Sequence, residues 1–252
     1  MDFTEKRVLI TGGSRGIGRA TAQAFAAAGA RVAINFHSNT TAAEQAIRGL
    51  KGEGHFAVRA DISKPQSVYQ MVEAVAQEMG GIDILVNNAG IFLPHPIAEV
   101  NYSEWQNTWS QTLGTNLTGA ANVTYCVAQH MIEAGRGRIV FVSSRGAFRG
   151  EPDHPAYGAS KAGMNALAQS LAQALAPHGI FVGTLAPGFV ETEMAAEHLK
   201  GEQGEAIRAQ SPMGRVGQPE EMAFCILFLA SEQSAYSTGC ILDANGASYL
   251  RT

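Results

Sequence analysis

The chain has 252 residues, 46% of them hydrophobic and 16% charged, which excludes a disordered chain and allows a substantial core. A formal charge of −4 supplies no basic field for a nucleic-acid backbone, and the longest apolar run, 223–230, is far too short to cross a bilayer. Three cysteines without a close pair, scattered histidines and a mixed-charge N-terminus argue against a disulfide framework, a metal site and a secretory signal, so a metal-free cytoplasmic protein is expected.

Short β-branched or aliphatic runs alternate with longer alanine-rich segments of helical period, the pattern of βαβ units around a parallel sheet. The first strand is expected at 7–10. It leads into Thr11-Gly12-Gly13-Ser14-Arg15-Gly16-Ile17-Gly18 and a helix over 16–28. Glycines there let the backbone approach a pyrophosphate, whose charge is met by free N–H groups at the helix start. A second strand at 32–36 ends in Asn35-Phe36-His37-Ser38-Asn39, and no acid occurs between Gly18 and Glu44. Folds that prefer the unphosphorylated dinucleotide place an acid there for the ribose 2′-hydroxyl. Arg15, helped by hydroxyl and amide donors, would instead accommodate a 2′-phosphate, which favours NADPH. The other reading leaves Arg15 in solvent and accepts both cofactors.

A helix at 41–50, a strand at 57–60 and a helix at 65–79 follow, then a strand at 84–87 that opens into Asn88-Ala89-Gly90. One long helix is expected over 103–134. It carries Asn116, an amide disfavoured in a buried apolar setting unless it has a function. The strand at 138–142 ends in Ser143-Ser144, where a hydroxyl can oppose charge developing on a substrate oxygen or simply cap a turn. The helix at 155–177 opens with Tyr157-Gly158-Ala159-Ser160-Lys161, which sets a phenol and an ammonium on one face. The ammonium is expected to favour the phenolate and lower the tyrosine pKa, suiting it to general acid/base work. Arg145, Arg149, Glu151, Asp153 and His154 make the preceding loop unusually charged; it faces either a polar substrate or solvent.

After a strand at 180–185, segment 191–217 is charged, broken by glycines and short of apolar anchors. It is a candidate substrate lid, the alternative being a solvated excursion. A helix at 219–230 and a strand at 240–243 complete the series. With no repeat or linker, residues 1–252 are read as a single α/β domain, a doubly wound parallel sheet with helices on both faces.

Thr11 to Gly18, Asp61-Ile62, Asn87 to Gly90, Asn116, Ser144, Tyr157 with Lys161, and Pro187-Gly188 followed by Thr192 occur in the order found in the short-chain dehydrogenase/reductase family. The chain resembles that family over nearly its whole length. The resemblance implies a Rossmann fold and a catalytic tetrad of Asn116, Ser144, Tyr157 and Lys161. Ser144 would orient a carbonyl, Tyr157 would give it a proton, Lys161 would hold the nicotinamide ribose, and Asn116 would fix a water that replaces the proton. It also implies a dinucleotide held by Gly12, Ser14, Arg15, Gly16, Ile17 and Gly18. Phe36, His37 and Ser38 would lie at its 2′ end, Asp61 and Ile62 at the adenine, and Asn88, Ala89 and Gly90 near a ribose. Tyr157, Lys161, Pro187, Gly188, Val190 and Thr192 would surround the nicotinamide.

Within the family, segments 186–194 and 214–221 are most similar to bacterial 3-oxoacyl-(acyl-carrier-protein) reductases. That likeness implies NADPH-dependent reduction of a carbonyl, with a 3-oxoacyl thioester as candidate substrate, an acyl-carrier protein as candidate partner, and a homotetramer. Two departures stand out: Pro177-His178-Gly179 lacks an arginine usual there, and Gly183 replaces a common asparagine. The alternatives are an alcohol dehydrogenase oxidising a sugar, cyclic alcohol or steroid-like molecule, and a non-catalytic dinucleotide-binding sensor.

Overall fold

In β1 (Arg7–Ile10) neighbouring side chains point to opposite faces of the sheet, and both faces are apolar, because Val8 and Ile10 belong to one buried cluster and Leu9 to another. The same split recurs in β4 (Ile84–Asn87), with Ile84 and Val86 against Leu85, and in β5 (Gly137–Val142), with Val140 and Val142 against Ile139 and Phe141. A strand apolar on both sides must be covered on both sides, which is the condition of a parallel sheet. The computed structural model, which describes residues 1–251, shows this arrangement.

Seven strands pair in parallel in the order β3-β2-β1-β4-β5-β6-β7, where β2 is Arg31–Phe36, β3 Phe56–Arg59, β6 Ile180–Pro187 and β7 Ile241–Ala244. On one face lie α1 (Gly16–Ala27), α2 (Thr40–Arg48) and α9 (Pro219–Ala230), which bury Phe25, Ala46 and Ile226. On the other lie α3 (Pro65–Met79), α5 (Ala120–Ala134) and α7 (Pro155–Leu175), which bury Val72, Val127 and Met164. Each of the larger of these side chains stabilises the fold by about 1.5–3 kcal/mol, and the Ala46 methyl by less than about 1 kcal/mol. Strands are added on one side of β1 through β2 and β3 and then on its other side from β4 onward, so a crevice opens beyond the carboxyl ends of β1 and β4.

Several elements differ from the sequence expectation. The helix expected over 103–134 is not continuous: α4 (Tyr102–Leu113) passes through a π-helical turn, Gly114–Gly119, before α5 begins. Gly119 allows this widened turn to lie against β3's exit, since a Cβ there would stand 2.8 Å from the Ile62 carbonyl oxygen. A short α6 (Gly146–Arg149) follows β5, and α8 (Gly201–Ala209) forms within the segment read as irregular. Only Gly204 and Ile207 of α8 are buried, too few apolar positions to show a period. Strand β6 also runs two residues further than expected, because Ala186 and Pro187 pair with Asp243 and Ala244 of β7. No described helix is long and apolar enough to cross a membrane.

Candidate active site

The turn after β1 is built by hydrogen bonds that join it to the end of β4. The buried Thr11 hydroxyl accepts from the Asn88 and Ala89 N–H groups at 3.1 Å each, and the Asn88 amide donates to the Thr11 and Gly12 carbonyls at 3.0 Å. Side chains would break this arrangement. A Cβ at Gly18 would fall 2.3 Å from the Gly12 carbonyl oxygen, and Gly12 itself has φ +64° with Ala89 against it. Helix α1 then starts with no side-chain cap and no acid in its first turn, so its N–H groups and dipole face the crevice without an internal anion.

The crevice is a cleft of about 820 Å³, a size and shape that suit a dinucleotide and a small substrate together. Of the residues named from sequence as cofactor contacts, all but Gly18 line it. Gly18 lies behind the turn, where it makes room for the Gly12 carbonyl. At the outer end, β2 stops at Phe36 and leads into His37 and Ser38 with no carboxylate among them. Asp61 lies opposite, its carboxylate accepting from the Ser63 N–H and hydroxyl and standing 3.9 Å from the His37 ring, so these partners hold its pKa below the usual carboxylate range despite partial burial. Arg15 is exposed and faces Glu193 at 3.9 Å, a contact of little strength in water. Lys64 also lines this end, a cation that sequence reasoning passed over because it reads as a helix-start residue. The uncapped helix start, the open glycine turn and this cationic rim fit a nicotinamide dinucleotide.

At the inner end the chain leaving β5 delivers Ser143 and Ser144 to the cleft wall, and the more buried Ser143 donates to the Lys161 carbonyl at 3.4 Å. Ser144 Oγ accepts from the Gly146 N–H at 3.0 Å, and hydrogen bonding from Ser144 draws the Tyr157 pKa down. The stronger influence on that phenol is burial, which pushes its pKa up to about 12, with Glu151 adding to the rise. The expected lowering by Lys161 is therefore corrected. Its Nζ lies 5.7 Å from the Tyr157 ring centre and donates instead to the Val142 carbonyl at 2.7 Å. Only 3% exposed, the ammonium is itself brought down to about 8 by burial.

Asn116 does not line the cleft. It sits one layer behind in the π-helical turn, its amide accepting from the Ile91 N–H at 2.8 Å and donating to the Ile91 carbonyl at 3.0 Å and Ser160 Oγ at 3.2 Å. A buried asparagine is thus satisfied by the backbone that leaves β4, and it holds the Gly90-Ile91 wall against α7. A Cβ at Gly90 would stand 3.4 Å from Asn116 Oδ1 and 3.6 Å from Lys161 Nζ, so this wall lies directly against both groups.

Sequence reasoning missed Phe92 and His198. Phe92 stacks on His154 at 3.6 Å and meets the Tyr157 ring edge-on at 4.7 Å; His198, from segment 191–217, closes the group at 5.6 Å from Phe92. Burial and the neighbouring His198 bring the His154 pKa down to about 4, so it is neutral near pH 7. No motif marks these residues, because they meet only through the fold. Segment 191–217 adds Thr192, Glu193, Met194 and Ala195 to the cleft and is pinned at its ends by the Val190–Gly217 bridge.

A family model for short chain dehydrogenase matches residues 6–223. The chain is 38% identical to the 3-oxoacyl-[acyl-carrier-protein] reductase FabG of Vibrio cholerae, over 99% of this chain and 100% of that one. It is 38% identical to an acetoacetyl-CoA reductase of Rhizobium meliloti, over 96% and 98% of the two chains. Among solved structures, the crystal structure of gox2181 superposes with a TM-score of 0.90 at 32% identity, covering 98% of this chain and 96% of that one. The chain belongs to the short chain dehydrogenase family, as an oxidoreductase that works with a nicotinamide dinucleotide on a carbonyl or its alcohol.

Proposed function

We propose that the protein reduces the ketone of a 3-oxoacyl thioester with NADPH. The observation that carries this reading is the placement of Tyr157 in the cleft beside Ser144. Its phenol keeps its proton far above neutral pH, beside the Ser144 hydroxyl and inside the cleft that begins at the glycine-rich turn. A protonated phenol can give its proton to a carbonyl oxygen, the acid role that reduction requires, and the reductive direction is supported by the reductase activities named for the relatives. The choice of a 3-oxoacyl thioester is supported by the activities named for the two relatives above.

In this reading the dinucleotide supplies the hydride. Ser144 donates to the substrate carbonyl oxygen and opposes its developing charge, worth on the order of 3 kcal/mol for a well-placed donor. Tyr157 then gives that oxygen its proton. Lys161 holds positive charge at the inner end of the cleft, and Asn116 keeps the Gly90-Ile91 wall in place against α7. Segment 191–217 serves as the substrate lid. A homotetramer is part of the same reading, supported by the exposed Phe224 and Phe228 on α9. The decisive experiment follows nicotinamide absorbance with acetoacetyl-CoA and NADPH. Turnover is the expected result, and turnover confined to alcohols or sugars overturns the assignment.

NADPH preference is proposed from the missing acid at the end of β2 together with Arg15 and Lys64 at the rim. A guanidinium bound to a phosphate contributes about 1.5–3 kcal/mol. Arg15→Ala is therefore expected to raise the KM for NADPH about tenfold more than that for NADH. Steady-state kinetics with both cofactors decide the matter, and equal changes remove Arg15 from the 2′-phosphate site.

A further inference from the structure

The charged loop after β5 does not behave as one unit. Arg149 and Asp153 are exposed, whereas Arg145, the residue after Ser144, is 3% exposed and lines the cleft. Its guanidinium lies 5.1 Å from the Phe189 ring centre, and Nη2 donates to Gln210 Oε1 at 2.5 Å. Arg149 donates to the same oxygen at 3.1 Å, so two cations share one neutral acceptor. Among the described residues no carboxylate stands within 4 Å of Arg145. Glu151 also lines the cleft and its charge acts on both Arg145 and Arg149, but it stands beyond ion-pair distance of either guanidinium. Buried charges are ordinarily paired, because an isolated ion loses its hydration without recovering it. Here the unpaired cation borders the space where a substrate carbonyl would meet Ser144.

We propose that Arg145 binds an anionic group of the substrate, and that the ketone this protein reduces carries a carboxylate. A carboxylate can take two guanidinium hydrogen bonds in one plane, which no neutral oxygen of a simple ketone offers. Gln210 then acts as a placeholder that steers the guanidinium from the lid side. The inference rests on the reading of the cleft as a carbonyl-reductase site; it does not depend on the thioester.

The test uses ketones in matched pairs, each a free carboxylate and its methyl ester, with acetoacetyl-CoA as a separate arm. The intact protein should reduce the carboxylates with a kcat/KM at least about tenfold above the esters. Arg145→Met should erase that preference through KM while leaving the KM for the cofactor unchanged. Arg145→Lys, which retains charge and guards against loss of folding, should keep part of it. Equal handling of acid and ester by the intact protein overturns the inference, as does an equal loss on both in Arg145→Met or a change confined to cofactor KM. Acetoacetyl-CoA turnover without any acid-over-ester preference sinks this inference alone. A strong acid preference without thioester turnover sinks the thioester reading alone, and no ketone turnover at all sinks both.

Discussion

Tyr157→Phe should lose turnover by a factor on the order of 10²–10⁴, the range that a positioned general acid contributes. Dinucleotide affinity should stay within about twofold of the starting value, since the substitution removes one oxygen and leaves the ring. That ring matters for the fold more than the hydroxyl does. It meets Phe92 edge-on at 4.7 Å and keeps α7 seated beneath the cleft, whereas the hydroxyl's neighbour is Ser144. Absorbance kinetics and a fluorescence titration with NADPH separate the two effects. Unchanged turnover in this variant would remove Tyr157 as proton donor and with it the proposed mechanism. The direction of the pKa shift adds a second reading of the same residue. With a phenol held up to about 12, no loss of reductive kcat/KM between pH 7 and 10 should belong to Tyr157. A loss through about pH 8 belongs to Lys161 instead.

What the sequence disclosed depends on how each feature is encoded. Strands β1 and β4 were placed to the residue, because runs apolar on both faces leave little choice of position. The π-helical turn at Gly114–Gly119 was invisible: one extra residue in a turn hardly disturbs a helical period, and its cause lies in the distant Ile62 carbonyl and Ile91 backbone. Helix α8 was missed because Gly201 and Gly204 are read as breakers, although Gly204 is what lets the Leu199 carbonyl come close. Within the site, the four-residue spacing of Tyr157 and Lys161 correctly put both on one face of α7. It could not tell that the ammonium turns to the Val142 carbonyl rather than the phenol. The charge of Arg145 was equally plain in the sequence and its depth was not, since a loop gives no period from which to read burial.

Lys161→Met should likewise abolish productive turnover, yet the free protein should become more stable at pH 7. The reason is the environment that brings the ammonium down to about 8 from an ordinary 10.5. A depression of that size represents about 3 kcal/mol held against folding whenever the lysine is charged. Methionine fills similar space without a charge, but it leaves the Val142 carbonyl without its 2.7 Å donor, a loss of about 1–2 kcal/mol. The net gain expected is therefore on the order of 1–2 kcal/mol. Its pH dependence gives the sign away. Between pH 8 and 10.5 the unfolded chain holds the lysine proton and the folded chain has released it, so the stability of the unsubstituted protein rises with pH across that window. The advantage of Lys161→Met must shrink over the same interval and reverse by its upper end, where only the lost hydrogen bond remains. Denaturant unfolding at a series of pH values measures this directly. A variant that is less stable at pH 7, by an amount that does not change up to pH 10.5, would show that the buried lysine is fully compensated where it stands. The site would then have no stored charge to spend on ligand binding. If the gain appears as expected, the fold has given up stability to keep a cation at the inner end of the cleft, as active sites that trade stability for function do.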